Sequence, residues 1–556
     1  MLDLLDGSGQ PTSLMDRVAL HADVDPSKTA MRWVSGKDGH AETLDYGGMH
    51  RAALILAAQI EGSVVDVPVG IACASPLNAA VGVLACLASG LACEVLPSPA
   101  EVRGTDTFSS DPQRACSTDQ VLSDRVIGGA GWRQVAFGKS EFNLFARPKK
   151  TPSFARSLTD IAFIQSTSGT TGNPKTVLVS HRNIEAACEQ AAEAYGLTAE
   201  DRFVSWTPMH YSMGIVNALL LPLTLGATST LVASRGFAED PMAWLRAVQR
   251  YRGTYSSAPE FGYSRCVDRI GPELAAGLDL SSWRVARVAA GPLWSEVLDG
   301  FVERFGPSGF RAEAFCPSYG LTEATLFVSG TRPGEPYPPR AALSSWSQNE
   351  VVAAGRPMPG TSITIVDPET GSTCAPGAVG EIRVSGPQVA MVVGEDESNR
   401  SAQERSAAAA VSLVTGDLGV FEDGMLWVVG RRRDIVKIRG VTHSLSSIDH
   451  EIAKAAAELG VRRWCALAGG GLRSEQLWVA AEPGDDLAPD EVVRRIARFI
   501  PAVTGVRAHR IVLVGPGELP VTDSGKPRRS ECVRQLLADS MTTLCSWPES
   551  RARVER

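Results

Sequence analysis

Seven consecutive residues, Ser166 to Gly172, are serine, threonine or glycine, and Asn173-Pro174-Lys175-Thr176 follow them. Gly169 and Gly172 let the backbone fold around an anion. The hydroxyls of Thr167, Ser168, Thr170 and Thr171 and the Lys175 ammonium can donate to phosphate oxygens. An ordinary glycine-rich surface turn would explain the glycines but not so dense a set of donors ending in lysine. The run departs from a Walker P-loop at one place. Counting G-x-x-x-x-G-K-T from Gly169, the second glycine is replaced by Pro174, which has no backbone N–H for a phosphate. The loop is therefore expected to handle nucleotide phosphates by a different geometry.

Elements on either side must hold this loop. The apolar residues 161–164 before it and 177–179 after it read as strands. Ser180 then reads as the cap of a helix whose amphipathic pattern continues from Ile184 to Tyr195. Upstream, residues 44–46 lead into an amphipathic helix through Ile60, 68–73 read as a buried strand, and 78–89 as an Ala/Val/Leu helix. This alternation predicts an α/β fold with a doubly wound, mostly parallel sheet. Residues 98–156 turn polar and read as irregular connection with weak elements. A second α/β layer is expected from 204 to 292, with a helix over Met242–Tyr251 and a strand and turn over 254–260. Short alternating strands over 351–384 suggest a small β-rich subdomain.

A chain of 556 residues is too long for one core. We expect a large N-terminal region over 1–432, a small mobile α+β domain over 433–545 and a polar tail over 546–556, with ordered structure ending near Leu537. The net charge of −8, without a basic block, argues against nucleic-acid binding. No apolar run reaches membrane-spanning length, and residues 1–6 lack the basic region of a signal peptide. The eleven cysteines are scattered without a C-x-x-C pair, which suits a reduced, cytoplasmic protein with core thiols and supports neither zinc nor a disulfide framework.

The loop resembles the phosphate loop of the adenylate-forming superfamily, which includes acyl-CoA synthetases, nonribosomal peptide adenylation domains, luciferases and fatty acyl-AMP ligases. Four further blocks follow in the superfamily's order. Ser318-Tyr-Gly-Leu-Thr-Glu-Ala324 resembles its Y-G-x-T-E block, implying that Tyr319 stacks on adenine, Thr322 touches phosphate and Glu323 holds Mg²⁺. Alone, Glu323 would read as a solvated acid at a helix start. In Thr415-Gly-Asp417, the resemblance makes Asp417 the ligand of the ribose hydroxyls, where a turn aspartate is the plain alternative. The hinge block spans 430–440, with Arg431 reaching ribose or phosphate and Asp434 as the pivot. In 519–529, Lys526 matches the catalytic lysine, a mobile point charge able to bridge carboxylate and α-phosphate. ATP and Mg²⁺ are the implied cofactors. The resemblance covers roughly residues 14 to 537.

Within the superfamily, the stretches 244–251, 278–284 and 319–325, and 438–440 with His443, look most like fatty acyl-AMP ligases. Those enzymes pass the acyl group to the phosphopantetheine of an acyl carrier protein, which is thus the implied partner beside a small-molecule acid.

Departures gather at the acid pocket. After Trp206, the usual His-Asp pair is replaced by Tyr211-Ser212, with His210 one position earlier as a candidate catalytic substitute. Gly291 stands where a glutamate is usual, and Glu260 where an asparagine is usual. Glu260 reads either as a rim acid facing water or as a carboxylate meeting an amino or hydroxyl group, since an alkyl chain would not compensate a buried charge. The second reading implies a small polar or amino-aryl acid, or nitrite activated to diazotise an arylamine. A non-catalytic nucleotide-binding homologue is the alternative of another class. The retention of Lys526, Glu323 and Asp417 with the whole loop speaks against it.

Overall fold

The computed structural model describes residues 13–35, 40–61, 68–97, 120–124, 133–135, 143–146, 161–167, 175–336, 340–342, 350–393, 412–438, 441–469, 476–484, 487–521 and 527–548. The phosphate-loop residues Ser168, Gly169, Thr170, Thr171 and Gly172, and the lysine Lys526, lie outside them.

The helix His181–Tyr195 begins where the sequence asks for it. Ser180 Oγ accepts from the Asn183 backbone N–H at 3.2 Å, and Asn183 Oδ1 accepts from the Ser180 N–H at 3.1 Å, a reciprocal capping box. Gly196, at φ +59°, ends it. This helix lies between two sheets. One has eight strands and includes Val69–Ile71, Cys93–Val95, Ile161–Thr167 and Lys175–Ser180. The other has nine, and its centre runs parallel in the order Phe315–Tyr319, Val285–Ala289, Tyr255–Pro259, Arg202–Ser205, Thr228–Val232, Thr29–Ser35. A single core joins them: Ile71, Phe163 and Val177 of the first sheet, Ile184 and Ala191 of the helix, and Phe203 and Leu231 of the second sheet belong to one apolar cluster. The far face of the nine-stranded sheet is covered by a separate aromatic core of Trp244, Tyr263, Trp283, Phe301 and Phe315. Because both faces are buried, its central strands are buried along their length rather than alternating, with a few polar residues such as Ser257 and Arg287 enclosed among the apolar ones.

Residues 362–431 supply an antiparallel sheet of Ser362–Val366, Gly380–Ser385, Leu413–Glu422 and Met425–Arg431. Its inner face packs Ile363, Ile382 and Leu426 against Tyr319 and Ala324. From Val436 onward the chain forms apolar clusters of its own, one around Ile448, Ile496 and Leu513 and another around Leu467, Trp478 and Leu536. The sheet there is Val461–Gly469, Gln476–Pro483, Arg510–Val514 and Thr543–Trp547.

Three expectations change. The polar stretch 98–156 contains strands Gln120–Ser123, Arg133–Val135 and Asn143–Ala146, which extend the eight-stranded sheet; sheet pairing overrides the weak local pattern. Residue Glu260 does not sit in a turn but opens the helix Glu260–Arg269, directly after the strand Tyr255–Pro259. The chain does not lose order at Leu537, since Thr543–Trp547 pairs antiparallel with Arg510–Val514. The described cysteines are all free thiols, and most are buried. Among the described residues no helix is long and apolar enough to cross a membrane.

Candidate active site

The two strands on either side of the glycine-rich stretch pair antiparallel in register, with Thr167 opposite Lys175. On the first of them, Gln165 is buried and its Oε1 accepts from Ser212 Oγ at 2.8 Å. Ser212 Oγ is in turn 2.7 Å from Thr322 Oγ1. Three segments far apart in sequence therefore meet through one short hydrogen-bonded chain. Their elements explain it. Ser212 opens a helical segment, Ser212–Leu225, that passes through a π-helical stretch Val216–Leu220, and Thr322 opens the 3-10 turn Thr322–Ala324 after the strand Phe315–Tyr319. π-Helical insertions are frequent where a helix is bent to serve a site. The tight approach needs glycines. A Cβ on Gly214 would stand 1.8 Å from Pro208 O, and one on Gly320 1.5 Å from Leu326 O.

A second cluster lies at the other end of the same turn. Tyr319 Oη donates to Asp417 Oδ2 at 2.7 Å, and Arg431 Nε lies 3.6 Å from Asp417 Oδ1. Asp417 and Arg431 are cross-strand partners on Leu413–Glu422 and Met425–Arg431, so sheet register alone brings them together. Burial pushes the Asp417 carboxyl up, while Arg431 and the Tyr319 hydroxyl draw it back down. Burial first and the Asp417 charge second hold the Tyr319 phenol far above its usual range, so it stays a donor. Here are two acceptor oxygens, an aromatic face and a cation around one carboxylate, the chemistry that a ribose and an adenine ring require.

Glu323 sits between the clusters, half-buried, with no ion-pair partner among the described residues; its charge is felt by Asp417. No group of three or more metal-ligating side chains exists among the described residues. The Glu323 carboxylate is an oxygen donor of the kind that would hold Mg²⁺ together with substrate phosphates and water.

The remaining expected residues are placed as follows. Lys175 starts the strand Lys175–Ser180 and is half-buried. His210 packs its ring on Tyr211 at 4.2 Å, and Tyr211 is 38% exposed, whereas the neighbouring Ser212 is the one turned inward. Trp206 stacks on Phe237 at 3.7 Å within the far aromatic core. Gly291 is exposed at φ +149° with open space where a side chain would stand. Asp434 ends the turn Arg432–Asp434 and pairs with Arg529 at 3.3 Å; Arg529 also binds Asp449. Any rotation about Asp434 must carry Arg529 or break that pair. Val521 and Pro527, on either side of residues 522–526, form an isolated antiparallel bridge.

Two residues escaped the motif reading. Gln165 was hidden because it directly precedes the loop. Arg287 was hidden inside the strand Val285–Ala289, although an arginine at the centre of Val-Ala-Arg-Val-Ala is itself a signal.

The model of the AMP-binding enzyme family matches residues 18–392. The chain belongs to the AMP-binding enzyme family. This AMP-binding enzyme is 34% identical over 418 residues to a medium-chain-fatty-acid–[acyl-carrier-protein] ligase of Moorena producens, covering 71% of this chain and 70% of the relative. It is 30% identical to a 4-hydroxyphenylalkanoate adenylyltransferase of Mycobacterium marinum, over 96% of this chain and 92% of the relative. Among solved structures, a fatty acid AMP ligase of Legionella pneumophila superposes with a TM-score of 0.63 at 27% identity, covering 96% of this chain and 97% of that one. The AMP-binding enzyme is thus an adenylate-forming ligase that uses ATP, and its likeness to fatty acyl-AMP ligases extends through both halves of the chain.

Proposed function

We propose that the enzyme adenylates a carboxylic acid and passes the acyl group to the phosphopantetheine thiol of an acyl carrier protein. One carboxylate oxygen attacks the α-phosphorus of ATP, the acyl-AMP forms and pyrophosphate leaves. The observation that carries this reading is the turn Tyr319–Glu323, which joins the Tyr319–Asp417–Arg431 cluster to the Thr322–Ser212–Gln165 chain at the base of the phosphate loop. In this arrangement Asp417 and Arg431 hold the ribose, and Tyr319 lies against adenine. Thr322 meets the α-phosphate, and Thr167 to Lys175 enclose the β- and γ-phosphates. Lys526 offsets the charge that develops between carboxylate and phosphate. Mg²⁺ at Glu323 supplies neutralisation of the phosphate charge when bound. The residues beyond Asp434 then reorient to admit the carrier's thiol.

The named relatives of Moorena and Mycobacterium support, respectively, a fatty acid and an aryl-bearing acid as substrate. A second reading, activation of a small polar or amino-aryl acid or of nitrite, is favoured by the buried polar chain Gln165–Ser212–Thr322 and by Arg287, from which an alkyl tail gains nothing. The test is AMP and pyrophosphate release over a panel of fatty acids, aryl and amino-aryl acids, and nitrite with an arylamine, with Lys526→Ala as the control. Turnover with carboxylic acids, followed by acyl loading of a carrier protein, supports the reading. ATP binding without turnover of any acid sinks it.

A further inference from the structure

Arg287 is fully buried, at 0% relative exposure, and among the described residues no carboxylate lies within ion-pair distance of it. Strand alternation sends its neighbours Ala286 and Val288 into the far aromatic core, so Arg287 points the other way, toward Tyr195 and the turn that carries Tyr319 and Thr322. Its Nη1 donates to Ser257 Oγ at 3.1 Å, directly across on the neighbouring strand, and its guanidinium lies over the Phe327 ring at 4.8 Å. Nε and Nη2 make no hydrogen bond of ordinary length, and the neutral Tyr195 hydroxyl is close enough to feel the guanidinium without supplying a charge. The titratable groups that feel its charge supply no anion. Burial holds the Tyr195 phenol at about 12, and burial raises Tyr255 and Cys316 further, so all three are neutral. Arg529, the other deeply buried arginine of the site region, differs in having both Asp434 and Asp449.

A buried cation without a countercharge is among the costliest features a fold can keep, and a ligand anion removes the cost. The free edge has a definite shape. Nε and Nη2 present two parallel N–H groups on one side of a planar guanidinium, a fork that fits two oxygens of one carboxylate. Nη2 borders the turn Tyr319–Glu323, since it is 3.5 Å from where a Cβ on Gly320 would stand.

We propose that the Arg287 fork recognises a second carboxylate on the acid, distal to the one that is adenylated, so that the preferred substrate is a short dicarboxylic acid. This rests on the reading that the enzyme adenylates carboxylic acids. Only the near carboxylate reacts; the far one stays bound to Arg287 unchanged. Free nitrite offers the same two-oxygen chemistry without a second group to adenylate, and the test separates the two.

The experiment compares diacids of four to eight carbons with monoacids of equal length, and nitrite with an arylamine. It reads pyrophosphate release and calorimetric binding on the full chain, for wild type, Arg287→Met and Arg287→Lys. The expected result is a kcat/KM at least tenfold higher for one diacid than for its matched monoacid. Arg287→Met lowers diacid use at least a hundredfold and monoacid use by a factor at least tenfold smaller than that, with Arg287→Lys between. The ligand-free Arg287→Met protein melts at the wild-type temperature or higher, because an uncompensated buried charge has been removed; a purely structural arginine would lower it. Should Arg287→Met not fold, Ser257→Ala and the wild-type binding series decide the matter. Equal or better wild-type use of monoacids, or equal loss on both series, overturns the proposal while leaving acid adenylation standing. Turnover with nitrite alone overturns it as well. Silence with every acid overturns the underlying reading instead.

Discussion

The two ends of the cleft are built on opposite plans. At the nucleotide end, Tyr319, Asp417 and Arg431 answer one another before any ligand arrives, and two of the three are locked by sheet register. At the proposed acid end, Arg287 is held by Ser257 and Phe327, yet two of its three nitrogens make no hydrogen bond of ordinary length. A self-satisfied cluster is stable on its own and tolerates one invariant ligand. A cluster with an unmet charge is stable only with the right partner, so it discriminates. On the proposed reading, the comparison means that nucleotide binding is preformed and selectivity is left to the acid.

The contrast can be broken from either side. The largest effect is expected outside both clusters. Lys526→Ala should lower acid-dependent pyrophosphate release about 100- to 1000-fold while ATP binding, followed by calorimetry, persists. Retained turnover would mean that the lysine is not the transition-state donor. Gly320→Ala strikes the turn shared by both ends. With a Cβ 1.5 Å from Leu326 O the turn must move, so about 3 kcal/mol or more of stability should go, read as a lower denaturant midpoint.

Next, Asp417→Ala removes one member of the self-satisfied cluster and leaves Arg431 without its carboxylate. ATP affinity should fall by about 1.5–3 kcal/mol, more than tenfold, whichever acid is present. Tyr319→Phe loses one hydrogen bond and should cost about 1 kcal/mol, roughly fivefold. A loss that depended on the acid would show that the two ends are not separate.

The smallest effect concerns how the C-terminal residues rest against the rest of the chain. The His450 ring stacks on Trp294 at 4.5 Å, and Glu296 takes Lys454 at 2.8 Å and His450 at 3.2 Å. Burial lowers the His450 pKa despite the pull of Glu296. Burial alone would raise Glu296, but its hydrogen bonds to Lys454 and His450 outweigh it and leave the carboxyl lowered. Both signs agree. A histidine lowered below 6.5 and an acid lowered below 4.5 each favour contact at higher pH. Contact is therefore complete above about pH 6.5 and lost as pH falls through these groups. The distance between the Trp294 and His450 segments, followed by fluorescence energy transfer, should lengthen on acidification, and the double variant Glu296→Ala/His450→Ala should abolish the pH response. A response left intact in that variant would locate the titrating groups elsewhere.

Much of the chemistry was legible in order along the chain. The Ser180 cap, the glycine-rich loop, Tyr319 to Glu323, Asp417 and Arg431 carry their meaning locally, because caps, turns and phosphate-binding loops are short-range devices. The sequence by itself determined the family and the α/β architecture, and it named the residues from which the nucleotide half of the site is proposed. It did not determine that Ser212 would meet Thr322 and Gln165, since that contact joins three segments distant in sequence. Nor did it show Asp434 tied to Arg529 across the C-terminal sheet. Arg287 marks the limit most sharply. One arginine in an apolar strand has no local consequence, and only the packing of three parallel strands decides that its charge is buried, that one nitrogen is used and that the other edge is left open.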